Sequence, residues 1–581
     1  MSDHDTETPA TSTTDPVALA RAWIAGDPDP DTRAELQSLL DAGDTDALAE
    51  RFAGQLEFGT AGLRGVVGPG PMAMNRAVVI RTSRGLADHL LAAVPDAAER
   101  GVVVGFDARH DSRRFAEDVV GVFAGAGIRV HWFPTPQPTP LIAYSQKVLD
   151  AAAGVVITAS HNPPEYNGYK VYVEGAAQIV PPTDAAIAAA IDAVGPASEV
   201  PREDPATTDL AAPVPAEVVD RYLADLAAAR PSVDAPAPWP TIVYTPLHGV
   251  ARDLMVRALA EAGYDDVHVV PSQSDPDPDF STVAFPNPEE PGAFDAALAL
   301  ADELGAELVI ANDPDGDRLA VAVPDRAGGH RPLSGNQIGV LLADHLLAGS
   351  TADRKLVVSS IVSTPMVASV AAAYDARAEV SLTGFKWIWG AGRALEADEG
   401  YTFVYGFEEA LGSSVGSVVR DKDGIGAGVA FADLSRALAA TGRSVLDRLD
   451  ELAVEHGLWV SHQLSITRPG LEGAREIAAA MVVLASRLPE GLAGHTVTAA
   501  TDFRTGADAR PPWLTTHDLV ALDLADGRAM IRPSGTEPKC KIYIDLRVDV
   551  SPDDDLDARA RDLEAEAARV AQALADFVGL T

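Results

Sequence analysis

The sequence predicts a multidomain α/β protein, in which three α/β units precede a smaller α+β unit. Short apolar runs typical of buried strands alternate with helical segments over most of the chain. The last block differs, because several strand patterns follow one another before a single long helix. The length, 581 residues, is enough for three to five domains.

The first part of the chain combines N-terminal helices with a run of buried strands. Apolar residues recur at helical spacing in residues 16–25 and 32–40, where Asp residues can serve as N-caps. The segment GVVVGF and two further apolar runs predict strands, with a helix between the first two. The predicted strands cover residues 101–106, 128–133 and 154–157, and the helix covers residues 114–124.

The segment DAPAPWP, residues 234–240, predicts a linker, and new strands start after it. These strands are predicted at residues 241–244, 267–270, 307–311 and 319–323. Another α/β block runs from residue 355 to about 458, and the last block has strands at 496–501, 519–524, 529–532 and 541–548 before a helix at 555–577. We therefore place the tail and helices in 1–54, the α/β domains in 55–235, 236–350 and 351–475, and the α+β domain in 476–581.

The charge balance excludes some classes of partner. The chain has 85 acidic residues, 45 Lys and Arg residues, and a net charge of −40, which argues against binding nucleic acid or anionic membranes. Salt adaptation and genome composition both remain open as causes of the acidity. The single Cys540 excludes an internal disulfide. Residues 1–15 predict a disordered tail without signal-peptide features, and residues 356–374 predict a strand, loop and helix, so we expect a soluble cytoplasmic protein.

The segment TASHNPPEYNGYK, residues 158–170, follows a buried strand and is rich in turn residues. Ser160 would lie exposed at the strand end beside a proton carrier, His161. Lys170 could act as a base or acid near that hydroxyl if its pKa is lowered. An ordinary polar turn is the competing interpretation.

Asp313, Asp315 and Asp317 alternate in the segment NDPDGDR between two apolar strands. Carboxylates at this spacing can converge on one hard cation, and few acidic ligands on a rigid loop suit Mg²⁺. The same spacing occurs at residues 27–31 and 275–279, where Pro fills the gaps, and there we expect solvated loops. An EF-hand is excluded because Arg318 and Pro324 stand where that loop needs Gly and Glu.

Three more segments carry candidate binding residues. RPSGTEPKCK, residues 532–541, has three cations and one carboxylate, so it predicts an anion site, with a basic hairpin as the alternative. GFEEALG, residues 406–412, offers paired carboxylates for sugar hydroxyls, or else is a charged loop. Gly59–Gly65 presents Arg64, and TGFKW, residues 383–387, presents Lys386. GSSVG at residues 412–416 fits a hydrolase elbow around Ser414 but lacks a preceding apolar strand.

Together these loops resemble the α-D-phosphohexomutase superfamily, and most closely its phosphoglucomutase/phosphopentomutase branch. TASHNPPEYNGYK is similar to the family's phosphoserine loop, DPDGDR to its metal loop, GFEEALG to its sugar loop and RPSGT to its phosphate loop. GTAGLRG and TGFKW also match, and the resemblance runs in family order from about residue 55 to 548. One departure is Ala410, where many members have Ser, so the loop is a weaker guide to the sugar.

The resemblance implies four domains around a central cleft, the first three similar α/β domains with mixed sheets, with one loop from each domain. It implies that Ser160 carries a phosphoryl group, that Mg²⁺ lies between it and the three Asp residues, and that a sugar 1,6-bisphosphate is the activator and intermediate. Lys170 and His161 would move protons, and Arg64 would stabilise the transferred group. The implied substrate-binding residues are Arg318, Gly384, Lys386, Glu408, Glu409, Arg532, Ser534, Gly535 and Thr536.

The implied activity is that of a phosphoglucomutase acting on small-molecule sugar phosphates. Mannose and ribose phosphates compete as substrates, and the oligomeric state stays open. A phosphatase that releases the phosphoryl group to water is an alternative of a different class, and a non-catalytic binding protein is disfavoured by the intact Ser160 and Lys170. The lysines support an anion site: the chain has seven, and five of them lie in or beside these loops, namely Lys170, Lys386, Lys422, Lys539 and Lys541.

Overall fold

The computed structural model describes residues 15–57, 62–233, 239–533 and 539–580. Nearly all of the predicted N-terminal tail and most of the predicted linker lie outside these ranges. So do residues 59–61 of the glycine-rich segment before Arg64, and Ser534, Gly535 and Thr536 of the predicted phosphate loop.

Three short helices begin the described chain: α1 (Pro16–Gly26), α2 (Pro30–Ala42) and α3 (Thr45–Arg51). Each is capped by the carboxylate before it, Asp15, Asp29 and Asp44, which accepts a hydrogen bond from a first-turn backbone N–H. The expectation of a solvated loop at residues 27–31 is wrong in part. Asp27 and Asp29 are buried, because Asp27 accepts hydrogen bonds from the Asp29 N–H and from Thr32, while Asp29 caps α2.

The first mixed sheet has the order β1-β5-β4-β2-β3-β7, with β6 paired to β5. Strands β2, β3, β4 and β7 are parallel, and β5 runs antiparallel to β4 and β1. The prediction missed the edge strand β7, which lies in a Pro-rich stretch. The strands are β1 (Leu63–Val66), β2 (Val102–Phe106), β3 (Val130–Trp132), β4 (Ala153–Ile157), β5 (Tyr166–Val173), β6 (Ala177–Gln178) and β7 (Ala211–Pro213), and the helices are α4 (Arg76–Ala93), α5 (Ala97–Arg100), α6 (Ser112–Gly125), α7 (Thr139–Val148), α8 (Thr183–Asp192) and α9 (Glu217–Ala229).

The second sheet has the order β12-β11-β10-β8-β9, with β9, β8 and β10 parallel and β11 antiparallel to β10. Its elements are β8 (Ile242–Thr245), α10 (Arg252–Glu261), β9 (Val267–Val269), α11 (Asp295–Leu304), β10 (Leu308–Ala311), β11 (Ala320–Pro324), β12 (His330–Pro332) and α12 (Gly335–Gly349).

The third sheet has the order β14-β13-β15-β16, with β14, β13 and β15 parallel and β16 antiparallel to β15. Its elements are β13 (Lys355–Ser360), α13 (Met366–Ala373), β14 (Arg377–Ser381), α14 (Phe385–Glu399), β15 (Thr402–Glu408), β16 (Gly412–Val415), α15 (Gly424–Ala439) and α16 (Val445–His456).

The first three sheets share one feature that places the site. In each, a parallel strand ends in a short loop that leads into an antiparallel neighbour: β4 to β5, β10 to β11, and β15 to β16. These loops carry the predicted serine, aspartate and glutamate motifs. Because each loop follows the carboxyl end of a parallel strand, it lies at the edge where α/β sheets bind ligands.

The fourth sheet is antiparallel, in the order β17-β22-β21-β20-β19-β18, and helices α17 and α18 pack on it. Strand β17 pairs with β22 along its whole length, so it belongs to this sheet, although our boundary at residue 475 puts it in the third domain. The elements are β17 (Leu458–Thr467), α17 (Gly470–Ser486), β18 (Gly491–Leu492), β19 (His495–Asp502), β20 (Val520–Leu524), β21 (Gly527–Pro533), β22 (Lys539–Val548) and α18 (Leu556–Val578).

The hydrophobic cores show which units pack together. One continuous core contains buried residues of the first three sheets and their helices, among them Tyr144, Val243 and Phe407. The fourth sheet has a core with α17 and α18, and a smaller apolar cluster that includes Val362 and Met530 joins it to the third domain. The predicted fold class is confirmed. Within the described ranges, no helix is long and apolar enough to cross a membrane.

Candidate active site

The loop after β4 presents Ser160 in a strained conformation. Its φ is 54°, in the left-handed region that non-glycine residues rarely adopt, and the side chain of Thr158 accepts a hydrogen bond from its backbone N–H at 2.8 Å. The residue is buried, and its Oγ lies 3.0 Å from Asp313 Oδ2 and 3.2 Å from His161 Nδ1. The strain and these contacts aim one hydroxyl at the neighbouring domain.

A residue that the sequence did not single out holds this loop in shape. The guanidinium of Arg109, after β2, donates to the backbone oxygens of Ser160 and Pro163 at 2.7 and 2.8 Å. Asp107 in turn lies 3.2 Å from Arg109 Nε, and both side chains are buried. Arg64 on β1 adds a contact from the other side, donating to Asn162 Oδ1 at 3.0 Å.

The loop after β10 buries three carboxylates. Asp313, Asp315 and Asp317 are each 0% exposed, and Gly316 has a φ of 73°, so the loop needs glycine at that position. Asp313 Oδ1 accepts the backbone N–H of Arg318 at 3.0 Å, which closes the loop.

Contacts across the first two domains bring these loops together. Lys170 on β5 donates to Asp315 Oδ2 and Asp317 Oδ2, both at 2.8 Å, and is itself buried. Thr139, at the start of α7, donates its hydroxyl to Asp315 at 2.9 Å and was not predicted. The predicted serine, lysine and aspartate motifs therefore form one cluster.

A second lysine joins the cluster from the third domain. Lys422 Nζ lies 3.1 Å from Asp317 Oδ2, and the neighbouring Asp421 accepts hydrogen bonds from Tyr172 and Gln178 of the first domain. We did not assign Lys422 a role from the sequence, although the scarcity of lysine pointed to it.

Burial and neighbours set opposite charge preferences in this cluster. Burial, with Asp315 and Asp317 nearby, raises the pKa of Asp313 well above its ordinary value. Burial acts the same way on Asp315 and Asp317, but Lys170 and Lys422 outweigh it and lower both pKa values. Burial alone would lower the pKa of Lys170, yet the carboxylates raise it, so Lys170 is held as an ammonium ion.

The aspartate oxygens fit a metal ion. One ligand atom from each of the three carboxylates lies within 4.8 Å of the others, and no other such group occurs in the described ranges. Oδ1 of Asp315 and Oδ1 of Asp317 are buried and have no hydrogen-bond partner among the residues that the structure describes. Because a buried carboxylate oxygen is costly when unpaired, a cation would stabilise the loop, and all-oxygen ligands favour Mg²⁺.

The loop after β15 places two carboxylates in the third domain. Glu408 Oε1 accepts the backbone N–H of Gly384 at 2.6 Å, and that glycine has a φ of 113°. Glu409 Oε2 accepts the hydroxyls of Ser360 and Ser363 at 3.0 and 3.2 Å. Burial and the nearby Glu409 raise the pKa of Glu408 to about 7.

Positive side chains from the third and fourth domains lie together near these glutamates. Burial lowers the pKa of Lys386, and burial with Arg532 lowers the pKa of Lys541. Burial, Arg532 and Lys386 also lower the pKa of His517 to about 4. Arg532 Nε is buried and has no hydrogen-bond partner within the described part of the chain. Such a desolvated positive group can hold an anion.

Two further predicted residues, Arg318 and His161, lie beside the cluster around Ser160 and the aspartates. Arg318 Nη1 lies 3.4 Å from Glu289, and its backbone bridges to Gly412 of the third domain. Burial, Arg318 and Arg64 lower the pKa of His161 well below its ordinary value, which leaves the imidazole neutral.

Two other motifs of the sequence, the Asp triplet at residues 275–279 and the segment around Ser414, are not part of this cluster. Asp275 and Asp279 have largely exposed side chains, while Asp277 accepts hydrogen bonds from Ser281. Ser414 is buried in β16 and donates to the Val419 backbone oxygen.

Family models of the "Phosphoglucomutase/phosphomannomutase" domains match the chain in order. The alpha/beta/alpha domains I, II and III match residues 55–197, 220–328 and 334–455, and the C-terminal domain matches residues 476–575. These matches span more than half of the chain and include all the loops described above.

Full-length relatives have related names. A "Probable phosphomannomutase" of Haemophilus influenzae is 41% identical, covering 82% of this chain and 93% of the relative. A "Probable phosphoribomutase" of Schizosaccharomyces pombe is 37% identical, covering 91% of this chain and 93% of the relative. A "Phosphoglucomutase" of Staphylococcus epidermidis is 33% identical, covering 85% of this chain and 91% of the relative. The open form of Paramecium parafusin, a phosphoglucomutase, shares the fold with a TM-score of 0.63 at 17% identity, covering 90% of this chain and 97% of that one.

The raised pKa of Glu408 predicts a stability cost at neutral pH. The unfolded chain loses this proton near the ordinary pKa of 4.5, but the folded chain keeps it to about pH 7, so stability falls as pH rises between these values. Glu408→Gln should therefore be more stable than wild type by on the order of 1–3 kcal/mol at pH 8, and equally stable near pH 4.5.

Thermal unfolding of both proteins across this pH range, without divalent metal, measures the difference. Glu165→Gln, at an exposed position, is the matched control for the loss of one carboxylate. A Glu408→Gln difference that stays constant from pH 4.5 to pH 8 would contradict the assignment.

Proposed function

The chain belongs to the phosphoglucomutase/phosphomannomutase family, and on that basis we propose that it is a phosphosugar mutase that interconverts glucose 1-phosphate and glucose 6-phosphate. The observation that carries the proposal is the contact of Ser160 with the buried aspartates. Its Oγ lies 3.0 Å from Asp313, beside carboxylate oxygens that have no hydrogen-bond partner among the described residues. This arrangement suits a serine that carries a phosphoryl group beside a bound cation.

In the proposed reaction, phosphorylated Ser160 passes its phosphoryl group to a sugar hydroxyl. The bond from phosphorus to Ser160 Oγ breaks, the bond to the sugar oxygen forms, and the hydroxyl proton ends on Ser160 Oγ. The bisphosphorylated sugar then turns over, and its other phosphate returns to Ser160. Asp313, Asp315 and Asp317 would hold Mg²⁺, which supplies positive charge to the transferring phosphoryl oxygens.

The side chains around Ser160 divide the proton and charge work. His161 is neutral and has Nδ1 3.2 Å from Ser160 Oγ, so it can relay a proton. Lys170 is held protonated by its two aspartates, which suits it to donate a proton or offset charge rather than act as a base. Arg64, on the far side of the loop, supplies a second fixed positive charge.

Binding of the sugar and of the phosphate that does not react falls to the third and fourth domains. Glu408 and Glu409 can accept sugar hydroxyls, with Gly384 fixing the orientation of Glu408. Arg532 and Lys386 can supply positive charge to the phosphate that does not react. Ser534, Gly535 and Thr536, which lie outside the described ranges, stay predicted phosphate-binding residues. A sugar 1,6-bisphosphate would prime Ser160 and serve as the intermediate.

Ribose 1-phosphate is the second candidate substrate, and mannose 1-phosphate is a third. Ala410 supplies no hydroxyl to a hexose beside Glu409, and one of the relatives with the greatest coverage is named for ribose. A phosphatase would share Ser160 but release inorganic phosphate to water.

A coupled assay tests the proposal. With Mg²⁺ and a trace of the 1,6-bisphosphate, we expect glucose 1-phosphate to yield glucose 6-phosphate with little free phosphate, and with kcat/KM above that for mannose, glucosamine and ribose 1-phosphates. A higher kcat/KM for ribose 1-phosphate would transfer the proposal to a phosphopentomutase. Free phosphate as the main product would reject the mutase.

Ser160→Ala should lower turnover by at least about three decades, because Ser160 is the only hydroxyl residue of the described ranges that hydrogen-bonds to Asp313 and could carry the phosphoryl group. Steady-state kinetics and circular dichroism measure activity and folding together. Ser414→Ala is the matched control: it removes one buried hydroxyl and one hydrogen bond, and it should change turnover by less than tenfold. Near-normal activity of Ser160→Ala would remove the nucleophile from the proposal.

Asp315→Asn should weaken the dependence on Mg²⁺ strongly, since it removes a charge from the loop and from the Lys170 ion pair. A titration of activity with Mg²⁺ should shift to at least about tenfold higher concentration. Asp277→Asn, in the Asp triplet at residues 275–279, should leave the titration midpoint unchanged. Equal shifts in the two variants would mean that the metal is bound elsewhere.

A further inference from the structure

Glu409 is held by a small cradle of hydroxyl groups. Ser360 and Ser363 both donate to its Oε2, and its backbone N–H donates back to Ser363 Oγ at 3.0 Å. The two serines are buried, and their Oγ atoms lie 2.8 Å apart. The segment 360–364 after β13 therefore sets where the Glu409 carboxylate points.

The fourth domain binds this segment through a hydrogen bond from Arg528. Arg528 on β21 donates Nη2 to the backbone oxygen of Ser363, and its Nε donates to Asp545 Oδ2 at 2.7 Å. Asp545 on β22 is 1% exposed, so the orientation of the guanidinium is fixed by a buried carboxylate. A guanidinium that binds two acceptors at once has little freedom to turn.

A second chain of hydrogen bonds joins Asp545 to the same segment. Ser461 on β17 donates to Asp545 Oδ1 at 2.5 Å and accepts from Asn336 Nδ2 at 2.9 Å. Asn336, at the start of α12, accepts the backbone N–H of Thr364 at 2.9 Å. The hydrogen bonds thus close a ring through Asp545, Arg528, the Ser363–Thr364 peptide unit, Asn336 and Ser461.

The start of α12 also contacts the glutamate loop directly. A Cβ built on Gly335 would lie 1.8 Å from the Glu409 backbone oxygen, so glycine is required for the loop to seat there. Glu409 is therefore fixed on one side by Gly335 and on the other by the serines that the fourth domain holds.

We propose that Arg528, fixed by Asp545, is a positioning residue that couples the seating of the fourth domain to the orientation of the Glu409 carboxylate. When the fourth domain is seated, Arg528 fixes the Ser363 peptide, and the serine hydroxyls hold Glu409 in its binding orientation. When the fourth domain moves away, the ring opens at Ser363 and Asn336, and the serine segment that holds Glu409 is no longer fixed from the fourth domain. The inference rests on the proposed function, in which Glu409 binds the sugar.

A double-mutant cycle tests it. Glucose 1-phosphate binding is measured by calorimetry in a Ser160→Ala background, so that affinity is read without turnover. Arg528→Gln should raise Kd by about tenfold, the loss expected for a charged hydrogen bond. Combined with Glu409→Gln, it should raise Kd by less than about twofold further, because its effect passes through Glu409.

Arg504→Gln is the matched control. Arg504 binds the Asp502 carboxylate and the Met481 backbone oxygen, the same two kinds of acceptor, but entirely within the fourth domain. It should leave Kd unchanged, whereas a general loosening of the domain would affect both arginine variants alike. In Ser160-containing enzyme, Arg528→Gln should raise KM more than it lowers kcat.

The outcomes separate the two proposals. An Arg528→Gln effect on Kd that is equal with and without Glu409→Gln, or no effect at all, would overturn the positioning role while the mutase proposal stands. If neither glucose, mannose nor ribose 1-phosphate is bound or converted by the wild-type enzyme, the proposed function fails, and the positioning role fails with it.

Discussion

One buried cluster of opposite charges holds the site and the first three domains together. The loop after β10 contributes Asp313, Asp315 and Asp317, the first domain contributes Lys170, and the third contributes Lys422. Removing one partner from such a buried group typically costs about 3–5 kcal/mol, because the remaining charge stays desolvated. The domain arrangement and the geometry around Ser160 therefore depend on each other, and one continuous apolar core supports both.

The fold could be predicted closely from sequence where burial sets a simple pattern. The apolar runs gave β2, β4, β8 and β10 to within a residue or so, since strands buried on both faces read as continuous apolar segments. Prediction missed β7 in a Pro-rich stretch and also missed β17, whose residues the boundary at 475 put in the third domain, because pairing between distant strands leaves no local pattern. Asp27 and Asp29 are buried because they accept hydrogen bonds from nearby backbone N–H groups, and the sequence pattern alone suggested exposed side chains.

The candidate site residues could be predicted from residue type and spacing. The residues that hold them in place, such as Arg109 and Thr139, could not. Ser160, Lys170 and the three aspartates lie together, while Ser534, Gly535 and Thr536 fall outside the described ranges. Arg109 and Thr139 act through a backbone oxygen or a single hydroxyl, and such contacts need no recognisable spacing. Lys170 was predicted to act as a base or acid if its pKa is lowered, whereas its aspartate partners raise that pKa.

We propose that one cation binds among the three aspartates, next to Ser160. A crystal structure of the wild-type protein grown with Mn²⁺, as an anomalous substitute for Mg²⁺, tests this directly. We expect a single strong anomalous peak coordinated by Asp313, Asp315 and Asp317 and adjacent to Ser160 Oγ. A peak at another carboxylate group, or none at these aspartates under saturating Mn²⁺, would contradict it.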